Sequence, residues 1–349
     1  MNLQIERPYI EALISEFPRL APLRDQLRFG SKVTLPFHQF SGAELGFLGS
    51  LYREAGPAMR TRAAQLATLQ QAFDGQGTRF GPDDDLEMLM PAIARYLTTD
   101  ALRGWLFRVN ISDKPLAYVV TRLDFIAPSN DETGKVMIEL KANAKGMLAT
   151  ATVRIAAADI VNKTVAEILA AKGFVRESAE LIATYDDTAE RYFDWRGQYG
   201  TQFSGQGTGF YAEDPTSTHR DTDWSRKDVV VLSSGGGTTR LVNDEGILNA
   251  RATTLEATGD ILGQYLRKAA KSNHYNAEEE VSESQAAIPK GLFTQLPVHP
   301  YVFMFHLELH HYLWVHVDDL APYTYQPALK QKLILPPEQT DLIDILTAE

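Results

Sequence analysis

The fold class is decided where residues 104–126 read GWLFRVNISDKPLAYVVTRLDFI. Before about residue 102 the apolar side chains recur at helical spacing, whereas from Gly104 onward they alternate with a period of two. This alternation, rich in aromatic and β-branched residues, predicts strands over 105–111, 116–126, 136–140 and 150–156. The sequence therefore predicts an α+β fold: an N-terminal helical domain, then a mixed α/β domain with mostly antiparallel strands and a C-terminal β-hairpin.

Three apolar stripes predict helices within the first hundred residues. They consist of Leu45, Leu48 and Leu51; of Met59, Ala63, Leu66, Leu69 and Phe73; and of Leu86, Leu89, Met90, Ile93 and Leu97. Pro57 suits the first position of the second helix, and the acidic residues 83–85 suit the start of the third. We therefore expect residues 1–102 to be a helical domain.

The middle of the chain predicts further helices and short strands. Thr164 and Glu167 form a capping box, which begins a helix that ends at Gly173. A second helix is expected over 176–192. A glycine-rich stretch follows over 199–209, and its glycine cluster at 205–209 is expected to be a loop. Short strands at 229–232 and 240–242 precede a helix over 255–266.

These elements predict four segments of the chain. Residues 1–102 form the helical domain and residues 103–270 the α+β domain. Residues 271–288 are polar with few apolar side chains and are expected to form a flexible linker or loop. Residues 289–349 are expected to form a hairpin and a connector.

The composition of the chain argues against several classes of function. The 349 residues carry 34 basic and 45 acidic side chains, a net charge of −11, which argues against nucleic-acid binding. No apolar run approaches the ~20 residues of a membrane span, and no secretory signal is recognisable, so a cytoplasmic protein without membrane contact is expected. The absence of cysteine excludes disulfides and thiolate metal sites.

Five of the eight histidines lie near the C-terminus and raise the question of a metal site. They are His299, His306, His310, His311 and His316, with Glu308, Asp318 and Asp319 close by. The zinc motif His-Glu-x-x-His is absent, and a hairpin places His310 and His311 at its turn on opposite faces. We expect no metal site here, and a metal-dependent enzyme remains the weaker alternative.

Nucleotide and hydrolase motifs are also missing. The glycine-rich residues 233–239 are followed by Arg240 and a strand, whereas a P-loop needs a lysine and a helix. Two Walker B-like endings, at 241–245 and 314–319, are interpreted as strands followed by polar turns. There is no Gly-x-Ser-x-Gly elbow. The sequence therefore offers no catalytic and no cofactor-binding residue.

The C-terminal segment resembles a known family. It contains PVHP at 297–300, YVFMF at 301–305, YLWVHVDDL at 312–320, PY at 322–323, LKQKLILP at 329–336 and LIDIL at 342–346. This order is similar to the region that leads into the ATPase module of large AAA-type ATPases from bacteria and fungi. The resemblance is strongest over 290–349, looser over 150–250, and absent from residues 1–100.

The resemblance implies a role but no catalytic residue. It implies that a P-loop module follows residue 349 in a parent protein, which forms a homo-oligomeric ring and needs ATP and magnesium only in that module. This chain would then be an N-terminal region that recognises a protein substrate or adaptor and couples it to ATP-driven remodelling. A stand-alone protein-binding or scaffold protein is the alternative.

Aromatic residues of this segment are candidates for partner contact, because aromatic side chains carry much of the binding energy of interfaces. The candidates are Tyr301, Phe303, Tyr312, Trp314 and Tyr323. The alternative is that these aromatic side chains form the core of the last sheet.

Overall fold

A computed structural model describes residues 2–29, 32–75, 77–109, 114–129, 132–145, 147–212, 229–232, 239–245 and 291–325. The chain divides into two compact units. The first is Met1–Gly197 with Ile247–Tyr301, and the second is Gln198–Gly246 with Val302–Glu349. The α+β class is confirmed, because helices dominate the N-terminal region and antiparallel sheets follow.

The first unit begins with a two-stranded ribbon that the helical interpretation of residues 1–102 missed. Strands β1 (Asn2–Glu6) and β2 (Lys32–Pro36) pair antiparallel around helix α1 (Arg7–Glu16) and a 3-10 helix (Pro18–Phe29). Each strand has only five residues, and its partner lies about thirty positions away. A local apolar period therefore gives no sign of the ribbon.

The three predicted helical stripes are confirmed. They form α2 (Gly42–Glu54), α3 (Arg60–Ala72) and α4 (Leu89–Thr98), with 3-10 turns Gly56–Met59 and Leu86–Met88 before the last two. Ser41 and Glu44 form a capping box at the start of α2, where the Glu44 carboxylate accepts the Ser41 N–H at 2.7 Å.

The predicted strands after residue 104 form the sheet of the first unit. They are β3 (Trp105–Arg108), β4 (Leu116–Ile126), β5 (Lys135–Ala144) and β6 (Met147–Ala156), and they are joined by β7 (Phe174–Arg176), which was not predicted. The order is β12-β5-β4-β3-β7, with β6 on β5, where β12 is Val298–His299. The strands pair antiparallel, except that β12 joins β5 in parallel.

Helices α5 (Ala157–Ile160), α6 (Val165–Ala171) and α7 (Ala179–Arg196) complete the first unit. The predicted capping box starts α6: the Glu167 carboxylate accepts the Thr164 N–H at 2.8 Å. Ribbon, helices and sheet share one buried core, represented by Ile5, Leu48, Leu69, Ile93, Phe107 and Ile138. The first unit therefore extends across the predicted boundary at residue 102.

The second unit contains a seven-stranded sheet in the order β10-β9-β14-β13-β11-β8-β15. Its strands are β8 (Gln202–Gly205), β9 (Thr208–Tyr211), β10 (Val229–Val231), β11 (Thr239–Asn243), β13 (Tyr301–His306), β14 (His311–His316) and β15 (Leu320–Pro322). The predicted C-terminal hairpin, β13 and β14, and the short strands β10 and β11 are confirmed.

The glycine cluster 205–209, within the glycine-rich stretch 199–209, was expected to be a loop, and this prediction is wrong except at residues 206 and 207. The stretch contains β8 and the start of β9, and Gly207, with φ +90°, forms the turn between them. A Cβ on Gly205 would lie 2.6 Å from Leu241 Cδ1, and one on Gly209 3.3 Å from Leu313 Cδ1. Glycine is used in these strands because neighbouring side chains occupy the space of a Cβ.

Several predictions fall outside the described residues. They concern the glycine-rich turn at 233–237, the helix over 255–266, the linker over 271–288 and the connector after residue 325.

Candidate functional site

Two of the five C-terminal histidines stabilise turns of the second unit. The buried imidazole of His306 accepts the N–H groups of Glu308 and Leu309 at Nδ1, at 3.2 and 3.1 Å. His316 Nδ1 accepts the N–H of Asp318 at 3.2 Å after β14. Both Nδ1 lone pairs are therefore directed at backbone N–H groups.

The other three histidines lie in different surroundings. His299 belongs to the first unit, where its Nε2 donates to the Ala117 carbonyl at 3.0 Å and its ring meets Tyr118 edge-on. Burial lowers the pKa of His299 to about 4, against the opposing effect of that hydrogen bond. His310 and His311 are exposed at the hairpin turn. Among the described residues, no group of three or more histidine or acidic side chains could hold a metal ion.

The predicted partner-binding aromatics divide between core and surface. Phe303 and Trp314 are buried, and the Phe303 ring stacks on Tyr312 with centroids 4.9 Å apart. Tyr312 and Tyr323 are half-buried. Tyr301 is half-buried in the first unit, with Lys145 Nζ 5.7 Å from its ring centroid. Two of the five candidates therefore contribute to the core, as the alternative interpretation expects.

A small cavity of about 250 Å³, which we call the aromatic pocket, lies in the second unit beside Tyr312. Its lining is Tyr199, Gly200, Val242, Asn243, Asp244, Phe305 and Tyr312. Tyr199 is 62% exposed, and the negative charge of Asp244, which also accepts its hydroxyl hydrogen bond, raises the pKa of Tyr199. Phe305 and Tyr312 are half-buried with ring centroids 5.2 Å apart.

Of the residues that line this pocket, only Tyr312 was among the candidates predicted from the sequence. Val242 and Phe305 become neighbours through the pairing of β11 with β13. Tyr199 is joined to that strand pair because the Gly200 N–H donates to the Asn243 carbonyl at 2.8 Å. No local pattern indicates these contacts, because they join residues 63 and 43 positions apart.

A larger concavity of about 760 Å³, the arginine groove, lies in the first unit. Its walls come from residues 77–80, from α4 and the turn before it, from the start of α6 and from the end of β7. The apolar lining includes Phe80, Met88, Pro91, Tyr96 and Val165, and the charged lining is Arg79, Asp84, Arg95 and Arg176. None of these residues was a candidate from the sequence.

The three arginines of the groove have different environments. Arg79 makes a bidentate ion pair with Glu167, at 2.8 and 2.9 Å. Arg176 donates to the carbonyls of Tyr96 and Thr99, at 2.7 and 2.9 Å, and lies 4.7 Å from the Tyr96 ring centroid. Arg95 is exposed. Within the described part of the chain, neither Arg95 nor Arg176 has a carboxylate partner.

Comparisons with known proteins give no relative: no family model, no curated protein and no solved structure matches this chain. Among the described residues, no helix is both long and apolar enough to cross a bilayer. The function is therefore inferred from the residues and from the geometry of the pocket and the groove.

Proposed function

We propose that this chain is the substrate- or adaptor-recognition and coupling region of a cytoplasmic AAA-type ATPase that remodels proteins. The sequence support is the resemblance of residues 290–349 to the region before such ATPase modules. The geometric observation that carries the proposal is the aromatic pocket, since the hairpin of that same segment contributes Phe305 and Tyr312 to it.

The pocket suits one side chain of a protein partner. Its volume of about 250 Å³ is below the ~300–1,000 Å³ of typical small-molecule sites. The half-buried rings of Phe305 and Tyr312 form an apolar floor, and the exposed Tyr199 forms a rim beside them. Aromatic groups in such pockets are frequent anchors of protein interfaces.

The proposal assigns nucleotide chemistry to the parent protein and not to this chain. No segment of the chain supplies the lysine and hydroxyl of a P-loop that hold the phosphates and magnesium. We expect calorimetric titration with ATP and magnesium to show no binding. Micromolar affinity would contradict this expectation and direct attention to residues 233–239.

Peptide display tests the recognition role. A random twelve-residue peptide library is selected on the full chain, and the enriched peptides are tested against Tyr199→Ala and Tyr312→Ala. We expect peptides with a large apolar anchor that bind these variants about tenfold more weakly, a loss typical of an interface hot spot. Tyr325→Ala, which removes a tyrosine that is 64% exposed and outside the pocket lining, is the matched control. Enriched peptides whose affinity is unchanged by Tyr199→Ala and Tyr312→Ala would refute the proposal that the pocket binds a protein partner.

The reading frame tests the coupling role. Translation that continues past residue 349 into Gly-x-x-x-x-Gly-Lys-Thr supports the connection to an ATPase module. A stop codon at that point would refute the connection and favour the stand-alone scaffold.

A further inference from the structure

The arginine groove carries a positive charge that the rest of the chain does not predict. The whole chain has a net charge of −11, yet three arginines line this concavity. Arg79 is neutralised by Glu167, and the Asp84 carboxylate accepts the Gly81 N–H at 2.6 Å. Three cationic groups against these two carboxylates leave a net positive groove.

Apolar surface lies directly beside these cations. Met88, on the turn before α4, is 61% exposed, and Phe80, Tyr96 and Val165 are half-buried in the lining. Methionine adapts its shape to different apolar partners, and an exposed methionine next to arginines without a carboxylate partner among the described residues suits a ligand with both acidic and apolar groups.

The groove walls are held in place before any ligand arrives. The Phe80 N–H donates to the Lys163 carbonyl at 3.1 Å, and the Asn162 N–H donates to the Phe80 carbonyl at 2.9 Å. Arg176 is fixed by its two carbonyl acceptors at the end of α4. A preorganised site loses little conformational freedom on binding, which favours affinity.

We propose that the arginine groove binds an acidic segment of a protein partner, whose carboxylates pair with Arg95 and Arg176 while a neighbouring apolar side chain contacts Met88, Phe80 and Tyr96. This site lies in the first unit and takes a ligand different from that of the aromatic pocket. It therefore goes beyond the proposed function and does not depend on that pocket.

The size and charge of the arginine groove favour an acidic protein segment over other ligands. The volume of about 760 Å³ admits several side chains. Two arginines without a carboxylate partner in the described part of the chain are too few for the phosphate backbone of a nucleic acid. Repulsion between an acidic partner and the acidic surface is screened beyond ~8 Å at physiological salt, whereas direct contact with Arg95 is not.

The same peptide selection on the full chain tests this proposal with different variants. Enriched peptides are tested by fluorescence anisotropy against Arg95→Glu and against Arg24→Glu. Arg24 is the matched control, because it is another exposed arginine of the first unit and lies outside the groove. The leading peptide is also synthesised with glutamine and asparagine in place of its acidic residues.

We expect peptides that combine acidic and large apolar residues. Arg95→Glu and the amide peptide should each weaken binding about tenfold, Arg24→Glu should leave it unchanged, and added salt should weaken it. The melting temperature of Arg95→Glu should fall by a few degrees at most, because the Arg95 side chain is exposed and the reversed charge acts only on the last turn of α4.

Three outcomes would overturn the proposal. The first is enrichment of no acidic peptide, and the second is equal binding of the peptides to Arg95→Glu and to the wild type. The third is that a small dicarboxylate binds and Arg95→Glu weakens its binding, while no peptide binds in a way that depends on Arg95. If only the groove proposal is wrong, the selection should still yield peptides whose binding is weakened by Tyr199→Ala.

Discussion

The protonation of His299 predicts how the stability of the first unit depends on pH. His299 is 5% exposed, and burial lowers its pKa to about 4, whereas an unfolded histidine titrates near ~6.5. Between these values the unfolded chain binds a proton that the folded chain does not bind. The free energy of unfolding therefore falls as the pH decreases from about 6.5 to about 4, and this contribution is constant outside that window.

The size of the effect follows from the difference of about 2.5 pH units between the two pKa values. At 1.36 kcal/mol per unit, the protonation of His299 should cost the folded state about 3 kcal/mol at pH 4. His299→Leu removes the titrating group. It leaves the Ala117 carbonyl without its donor, so the variant is less stable than the wild type near neutral pH but less sensitive to acid.

Urea unfolding at several pH values between 7 and 4 measures this difference. Because two compact units can unfold in separate transitions, hydrogen exchange of the β4 amides is used to follow the first unit. Over this range the free energy of unfolding of the wild type should decrease by about 3 kcal/mol more than that of His299→Leu. His38→Gln, at an exposed histidine of the same unit, should behave as the wild type. Equal pH dependence of the wild type and His299→Leu would refute the reasoning.

Three other perturbations each test the local contacts of one residue. Glu177→Ala should destabilise the first unit by about 3–5 kcal/mol, because its buried carboxylate accepts four successive backbone N–H groups, up to that of Trp105 at 3.1 Å. Hydrogen exchange at residues 102–105 should become faster. Gly205→Ala should cost the second unit about 1–3 kcal/mol in urea unfolding, because the added methyl group would meet Leu241 at 2.6 Å. Zinc or a chelator should leave the melting temperature unchanged, since His306 Nδ1 already accepts two backbone N–H groups.

Matched controls make these outcomes decisive. Glu190→Ala removes an exposed carboxylate of helix α7, which begins just after Glu177, as a control for Glu177→Ala, and equal exchange rates in both variants would contradict the role of Glu177. Gly46→Ala places a methyl group where nothing lies within 4 Å and should stabilise α2 by about 0.5–1 kcal/mol. The same sign for Gly46→Ala and Gly205→Ala would contradict the packing argument. Stoichiometric zinc by elemental analysis would reopen the metal-dependent alternative.

Elements with signals inside a few residues could be predicted from the sequence. The change of apolar period near Gly104 gives the α+β class, and the pairing of Thr164 with Glu167 gives the start of α6. The hairpin around His310 is also local, since its N–H closes the turn on the His306 carbonyl at 2.9 Å. In each case the residues that make the interaction are close in the chain.

Elements that depend on distant partners were decided only by the tertiary structure. Gly205 indicates a loop by composition, but Leu241 fills the space of its missing Cβ and makes it a strand residue. The aromatic pocket joins Tyr199 to Phe305, and the arginine groove joins Phe80 to Arg176. Local period and capping determine which elements form, because their interactions lie within a turn or two. Which side chains share a concave surface depends on strand pairing and core packing between segments about a hundred residues apart, and no local pattern records that choice.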